Sequence, residues 1–284
     1  MSVGLFVRGM AMGVAEVVPG VSGGTIAFVT GIYDELIATL ARLDLRVLPM
    51  LWRQGPVAVW RECNLSFLAV LALGMAVSIL LFARLMEAAL AHAAPLVWAF
   101  FFGLIAYSVI VIGRLLPRRS LLLWAPVGLV LGVLLTRLTP TSGTPADWLF
   151  LLGGAIAISA WLLPAVSGSF LLLVLGLYEP VINAVNEFAV GRLLLFASGC
   201  ALGLLAFSKL LRWLMTHHRE PLLALLTGFM VGSLPKLWPW QLEGQLLLPG
   251  GYEQLSAEPA FALTVVPAGL LGALLLWLLG KLQR

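Results

Sequence analysis

The 284 residues are 61% hydrophobic and 11% charged, with a mean hydropathy of +1.05. Soluble domains are typically about 45–50% apolar and about 25% charged, so this composition excludes a soluble domain and indicates an integral membrane protein. The net charge of +4 is small and spread over short loops, which argues against nucleic-acid binding.

Long hydrophobic segments follow one another along the chain, and two of them are interrupted by proline and glycine. Residues 5–39 and 148–183 are too long for single spans, and we predict that each is a re-entrant helical hairpin. Broken backbone at membrane depth requires protein or a water-filled cavity around its polar groups. Three spans are predicted after each hairpin: 65–86, 95–113 and 121–138 in the first half, and 193–215, 222–237 and 261–279 in the second.

The sequence also repeats itself. EVVPGVSGGTIAFVTGIYDELI from Glu16 aligns with WLLPAVSGSFLLLVLGLYEPVI from Trp161 without a gap. Later matches pair Arg84 with Lys209 and Gly103 with Gly228. We therefore predict an all-α polytopic membrane protein with two repeats, residues 1–145 and 146–284, within one membrane domain. Each repeat comprises one hairpin and three spans.

Basic residues in short loops predict the orientation of the two repeats. They cluster in four regions that can all face the cytoplasm together: 42–61, 114–119, 209–219 and 281–284. Three spans then separate the two hairpins, so the second enters the membrane from the opposite side. Both termini are predicted to be cytoplasmic and the loop 238–258 extracytoplasmic. Inverted repeats of this kind are typical of secondary transporters.

Each predicted hairpin has a Ser-Gly pair near its tip, behind a proline. Ser22 and Ser167 are suited to helix N-caps, and the tips are predicted to meet near the midplane. The amides that follow would then be free to point into the cavity: those of Gly23, Gly24, Thr25, Gly168 and Ser169. Helix N-termini with nearby hydroxyls favour phosphate or carboxylate. Alternatively, these small residues only allow close helix packing, but their repetition in both halves favours an anion site.

Several further residues are candidates because they are ionisable or polar within apolar segments. Glu16 is the strongest, as an intramembrane acid by default marks function; the alternative is a glutamate that caps a nearby backbone group. Arg8 could face the cavity and neutralise substrate charge. Secondary candidates, which could equally mark hairpin ends, are Tyr33, Asp34, Tyr178 and Glu179. The cysteines and histidines lack metal-site spacing, so no metal or cofactor is predicted.

PGVSGGT with GIY in the first half, SGSFLLLVLGLYE in the second and the later GFMVGSLPKLWPW resemble the bacterial polyprenyl-phosphate transporter family. The resemblance covers nearly the whole chain, although Ala165 stands where that family more often has glycine. It implies a flippase rather than an enzyme. The expected substrate is undecaprenyl phosphate, the lipid carrier of cell-wall synthesis, returned from the outer to the inner leaflet of the bacterial cytoplasmic membrane. The oligomeric state is not predicted.

Energetics suggest how such a transporter would be driven. Moving an anion inward against a negative-inside potential costs roughly 2.3 kcal/mol per charge per 100 mV. We therefore expect proton coupling, with Glu16 as the relay.

Two other functions are compatible with the same residues. The loops are similar to the Pro-Gly-x-Ser-Arg-Ser element of undecaprenyl-pyrophosphate phosphatase, but Gly23 and Gly168 stand in the place of its arginine. Without that arginine, the charge on a transferring phosphoryl group is hard to stabilise. A transporter of another small anion satisfies the anion-site argument equally well.

Overall fold

The computed structural model describes residues 3–17, 22–44, 46–136, 145–164, 166–242 and 245–281. Pro19 and Ala165, which belong to the repeated motifs, and Arg284, in the C-terminal basic region, lie outside these ranges. The described part of the chain is almost entirely α-helical, in agreement with the predicted all-α class. The strands described are the short antiparallel pair β1 (Gln241–Leu242) and β2 (Gln245–Leu246), in the loop before the last two helices.

Among the described residues, each predicted half contains seven α-helices. The first half contains α1 (Val3–Val17), α2 (Gly23–Val29), α3 (Tyr33–Leu40), α4 (Val47–Gln54), α5 (Pro56–Glu62), α6 (Leu65–Leu115) and α7 (Arg118–Thr136). The second contains α8 (Trp148–Leu162), α9 (Gly168–Val174), α10 (Tyr178–Asn186), α11 (Val190–His217), α12 (Arg219–Ser233), α13 (Pro249–Ser256) and α14 (Ala262–Lys281).

The two interrupted segments share one local structure, which the sequence motif explains. Each has a longer helix, then a seven-residue helix capped by serine, then a third helix that begins at tyrosine. Gly31 and Gly176 end the middle helices with φ of 73° and 66°. The next residue in each case bonds back five positions, as in a Schellman motif, which requires a residue that tolerates positive φ. The Gly-Ile-Tyr and Gly-Leu-Tyr sequences therefore set the second bend of each segment.

The predicted spans 65–86 and 95–113 lie within the single 51-residue helix α6. The backbone of α6 is non-helical at Ala93, with φ −148° and ψ 38°, two residues before Pro95. Proline lacks the amide hydrogen and disfavours helical backbone just before it, so the chain bends close to the predicted boundary.

Three described helices are long and apolar enough to cross a membrane: Leu65–Leu115, Arg118–Leu135 and Val190–His217. The pair α9 and α10, bent by 105°, would be a fourth if it acts as one span. Helix α12 ends at Ser233, earlier than the predicted span 222–237, and a 3-10 turn containing Pro235 follows. A multi-pass membrane protein is thus confirmed, while the six individual spans and their orientation stay predictions.

Glycines bring the long helices into close contact in pairs. A Cβ on Gly9 of α1 would collide with the Leu71 carbonyl of α6, and a Cβ on Gly199 of α11 with the Leu151 carbonyl of α8. The same relation holds between α7 and α12 and between α14 and the second part of α6. The α1–α6 contact in the first half thus corresponds to the α8–α11 contact in the second, and the α7–α12 contact corresponds to the α14–α6 contact. Two structural repeats would produce this correspondence.

Candidate functional site

The first interrupted segment contacts the end of α8 in the second. The Tyr33 hydroxyl donates to the Leu162 carbonyl at 2.8 Å, and Tyr33 is 2% exposed. The Ser22 hydroxyl lies 3.5 Å from the Trp161 carbonyl. The start of α2 and the end of α8 therefore meet inside the protein, in line with the predicted meeting of the two segments.

Glu16 lies at the centre of this contact. Its Oε1 atom accepts the Gly23 amide at 2.6 Å and the Trp161 indole N–H at 2.7 Å. No donor among the described residues bonds Oε2. Glu16 thus links its own segment to the opposite one through Trp161. It also accepts a backbone amide, that of Gly23, as the alternative interpretation of Glu16 predicted.

Glu16 and Trp161 occupy equivalent positions in the sequence repeat. Equivalent positions of two repeats related by a two-fold axis touch each other only near that axis. The predicted repeats would therefore place Glu16 and Trp161 in contact at their centre, and the hydrogen bond agrees with that expectation. The inverted repeat itself stays a prediction.

The first tip differs from the prediction of free amides. The Gly23 amide donates to Glu16, the Gly24 amide to the Ser22 hydroxyl at 3.1 Å, and the Thr25 amide to the Ser22 carbonyl at 2.9 Å. All four residues from Ser22 to Thr25 are buried. The expectation of free amides is wrong at this tip, because Glu16 occupies the Gly23 amide and Ser22 occupies those of Gly24 and Thr25. Their role in substrate binding stays a prediction.

The second tip is more open. Ser167 is half-buried and Ser169 exposed, and their hydroxyls are 2.8 Å apart. The Ser167 hydroxyl also accepts the Phe170 amide at 3.4 Å, so it is the predicted N-cap. Among the described residues, the amides of Gly168 and Ser169 have no acceptor. This tip, unlike the first, retains hydroxyl and amide donors for a ligand.

Lys236, which was not predicted to be a site residue, lies beside the second tip. The Lys236 ammonium is 4.4 Å from the centre of the Phe170 ring, in the first turn of α9. Lys236 is half-buried, and no described carboxylate lies within 4 Å of its ammonium. The sequence feature that could have indicated Lys236 is its position as a lone lysine between apolar residues in GFMVGSLPKLWPW.

Comparison with known proteins identifies the family. The chain matches the family described as "Undecaprenyl phosphate translocase-like" over residues 12–248. It belongs to that family. The family predicted from the motifs is thereby confirmed.

Two relatives of this translocase-like chain are named polyprenyl-phosphate transporters. The protein from Vibrio cholerae serotype O1 is 45% identical over 239 residues, which cover 83% of this chain and 77% of the relative. The protein from Staphylococcus aureus is 31% identical over 253 residues, which cover 82% and 84% respectively. No solved structure matches the chain. The relatives are named as transporters, in agreement with the prediction that this protein is not an enzyme.

The remaining candidates lie away from the Glu16 contact. Arg8 is half-buried on α1, eight residues before Glu16, or roughly 12 Å along the helix axis. Asp34 is bonded to Arg219, at 2.6 Å, near the start of α12. Tyr178 and Glu179 are exposed. Of the secondary candidates, the structure brings only Tyr33 to the site.

Lys209 has a defined partner outside the membrane-spanning segments. Its ammonium lies 3.4 Å from Asp44, in the loop after α3. The Arg46 amide bonds the same carboxylate at 2.8 Å, and that bond, with the Lys209 charge, lowers the pKa of Asp44. Lys209 thus ties α11 to the first half. Arg84 is exposed, and a long basic side chain of this kind can extend to lipid headgroups.

Proposed function

We propose that the protein carries undecaprenyl phosphate across the bacterial cytoplasmic membrane, from the outer to the inner leaflet, coupled to protons. The relatives' names support a polyprenyl-phosphate substrate. The observation that carries the proposal is the contact of two interrupted helical segments through Glu16 and Trp161, together with the hydroxyls and the cation at the second tip. Such a polar site suits a phosphate head whose prenyl chain stays in lipid.

The second tip is the proposed phosphate-binding position. Ser167 and Ser169 supply hydroxyl donors, the amides of Gly168 and Ser169 supply two more, and Lys236 supplies positive charge. Charge-assisted hydrogen bonds of this type are roughly twice as strong as neutral ones. Lys236 lies in the 3-10 turn that follows α12. By the predicted topology, this turn comes just before the extracytoplasmic loop, on the side from which the lipid would be captured.

The first tip is the proposed coupling element. A carboxylate is a strong acceptor for the Gly23 amide, and protonation of Glu16 would weaken that bond. The Gly23 amide then becomes available to a phosphate oxygen. Proton binding and phosphate binding would favour each other, which is the requirement for cotransport.

Removal of both cap hydroxyls is expected to impair transport strongly. In liposomes containing the purified protein, a Ser22→Ala/Ser167→Ala variant should take up undecaprenyl phosphate at least ~tenfold more slowly than wild type, since each lost hydrogen bond contributes about 1 kcal/mol and both tips are affected. The matched control is Ser78→Ala/Ser208→Ala, which likewise removes two serine hydroxyls, here from buried positions in α6 and α11. Equal rates for both variants would contradict the site, and absence of uptake by the folded wild type would contradict the function.

Lys236→Gln is expected to raise the KM for undecaprenyl phosphate more than it lowers the maximal rate. A hydrogen bond to a charged group contributes about 1.5–3 kcal/mol, so KM should rise roughly 10- to 100-fold. Lys236→Arg should restore much of the affinity because it keeps the charge. Lys209→Gln is the matched control, since that lysine is exposed and paired with Asp44. An unchanged KM in Lys236→Gln would exclude this lysine from substrate binding.

A further inference from the structure

A groove lies between the ends of α6 and α14, at the far end of α2 from Ser22. Its volume is about 660 Å³, within the usual range for a ligand pocket. Its lining is mainly apolar and aromatic, including Phe28, Tyr107, Leu276 and Trp277. We call it the α6–α14 groove.

The helix packing explains why the groove exists. Gly103 and Gly272 allow α6 and α14 to touch closely, backbone against backbone. Further along, Tyr107 and Trp277 take the place of small residues, and the helices no longer close on each other. The space between them is covered only in part by the end of α2, at Phe28 to Gly31.

The charges at this groove have one sign. Arg114 at the end of α6 and Lys281 at the end of α14 both line it, and none of the described acidic residues does. Arg114 forms no ion pair with a described residue, and the Lys281 ammonium lies 3.9 Å over the Trp277 ring. An adjoining cavity of about 470 Å³ is lined by two acids, Asp34, which is already paired with Arg219, and Glu220.

We propose that the α6–α14 groove is a second binding site for polyprenyl phosphate, with the phosphate between Arg114 and Lys281 and the first isoprene units along the apolar lining. This proposal rests on the proposed function. A phosphate monoester carries up to two negative charges near neutral pH, which match two cations that have no ion-pair partner among the described residues. An ordinary phospholipid has a phosphodiester with one charge and two chains, and it fits a single groove less well.

The position of the groove gives it a role distinct from that of the serine site. The groove contacts the C-terminal end of α2, whereas Ser22 caps the other end, seven residues and roughly 10 Å away. In the predicted topology, Arg114 and Lys281 face the cytoplasm. The groove would then hold the lipid at the inner leaflet after its head has left the centre of the protein.

The test is photocrosslinking of the purified protein in nanodiscs with a short-chain prenyl phosphate that carries a photoreactive group on its chain. Crosslinks are mapped by mass spectrometry, and we expect them on the lining stretches of α6 and α14, 107–112 and 276–277. Below saturation, Arg114→Gln/Lys281→Gln should lower their yield about 100-fold, roughly tenfold for each cation. The matched control, Arg118→Gln/Arg119→Gln, removes two exposed cations from the first turn of α7, shortly after Arg114, and should keep the wild-type yield.

Competition distinguishes the possible ligands. Unlabelled undecaprenyl phosphate should suppress the crosslinks, whereas the uncharged prenol and phosphatidylglycerol should not. Equal competition by phosphatidylglycerol, or a wild-type yield in Arg114→Gln/Lys281→Gln, would overturn the proposal. Failure of the groove proposal is distinguishable from failure of the proposed function. If the wild type crosslinks in the groove but does not transport lipid, only the transport function is refuted. If it transports lipid but gives no crosslinks in the groove, only the groove proposal is refuted.

Discussion

Glu16→Gln is expected to abolish proton-driven accumulation of undecaprenyl phosphate while the protein still folds. The glutamine carbonyl oxygen can accept the same two hydrogen bonds that Glu16 Oε1 accepts from Gly23 and Trp161. The contact between the two segments is therefore retained. The side chain can no longer bind and release a proton, so any coupling that depends on this carboxyl is lost.

The expected size of the effect follows from electrostatics. One cotransported proton cancels one negative charge, and its loss leaves about 2.3 kcal/mol of opposing work at 100 mV. The accumulation ratio at a clamped potential of this size should fall by roughly 50-fold. The measurement is uptake into liposomes at several external pH values, with the potential held by a potassium gradient. Wild-type uptake should rise as the external pH falls, and uptake by Glu16→Gln should not respond.

The matched control is Glu187→Gln, which makes the same chemical change at an exposed position after α10. It should behave as wild type. Thermal melting of both variants in detergent reports whether the Glu16 substitution has damaged the fold. If Glu16→Gln melts like wild type and keeps the full pH response, Glu16 is not the proton relay and serves only to join the two segments.

Much of the fold follows from local sequence. Serine and glycine recur at fixed offsets in the two interrupted segments, and each has a local conformational role, as the caps at Ser22 and Ser167 and the positive φ of Gly31 and Gly176 illustrate. The bend of α6 could likewise be placed near Pro95. These features depend on residues a few positions apart, so the sequence is sufficient to predict them.

The differences between the two tips depend on contacts between distant residues. The motifs around Ser22 and Ser167 are nearly the same, but Glu16 reaches back to the first tip and its equivalent, Trp161, is an indole. The first tip is therefore closed by its own carboxylate and the second remains open. Lys236 was missed for the same reason, because its approach to Phe170 joins positions far apart in the chain.

Gly24→Ala is expected to destabilise the protein and to impair transport, because it forces the two segments apart. An added Cβ would lie 2.6 Å from the Trp161 carbonyl oxygen and 3.3 Å from that of Leu163. Both are backbone atoms, so no side-chain rotation can relieve the collision. Overpacking of this type typically costs 1–3 kcal/mol, here about 2 kcal/mol of unfolding free energy.

Helix propensity alone predicts that Gly24→Ala raises the free energy of unfolding. Alanine is favoured over glycine within a helix by about 1 kcal/mol, and Gly24 lies in the first turn of α2. Gly113→Ala is the matched control, since a Cβ at that position of α6 has no neighbour within 4 Å. Melting of the two variants in detergent, beside liposome uptake, separates these effects. If Gly24→Ala gains stability as the control does and transports normally, close contact between α2 and α8 is not needed for function. A lower melting temperature together with slow uptake would mean that transport depends on the close approach of the two segments at Glu16 and Trp161.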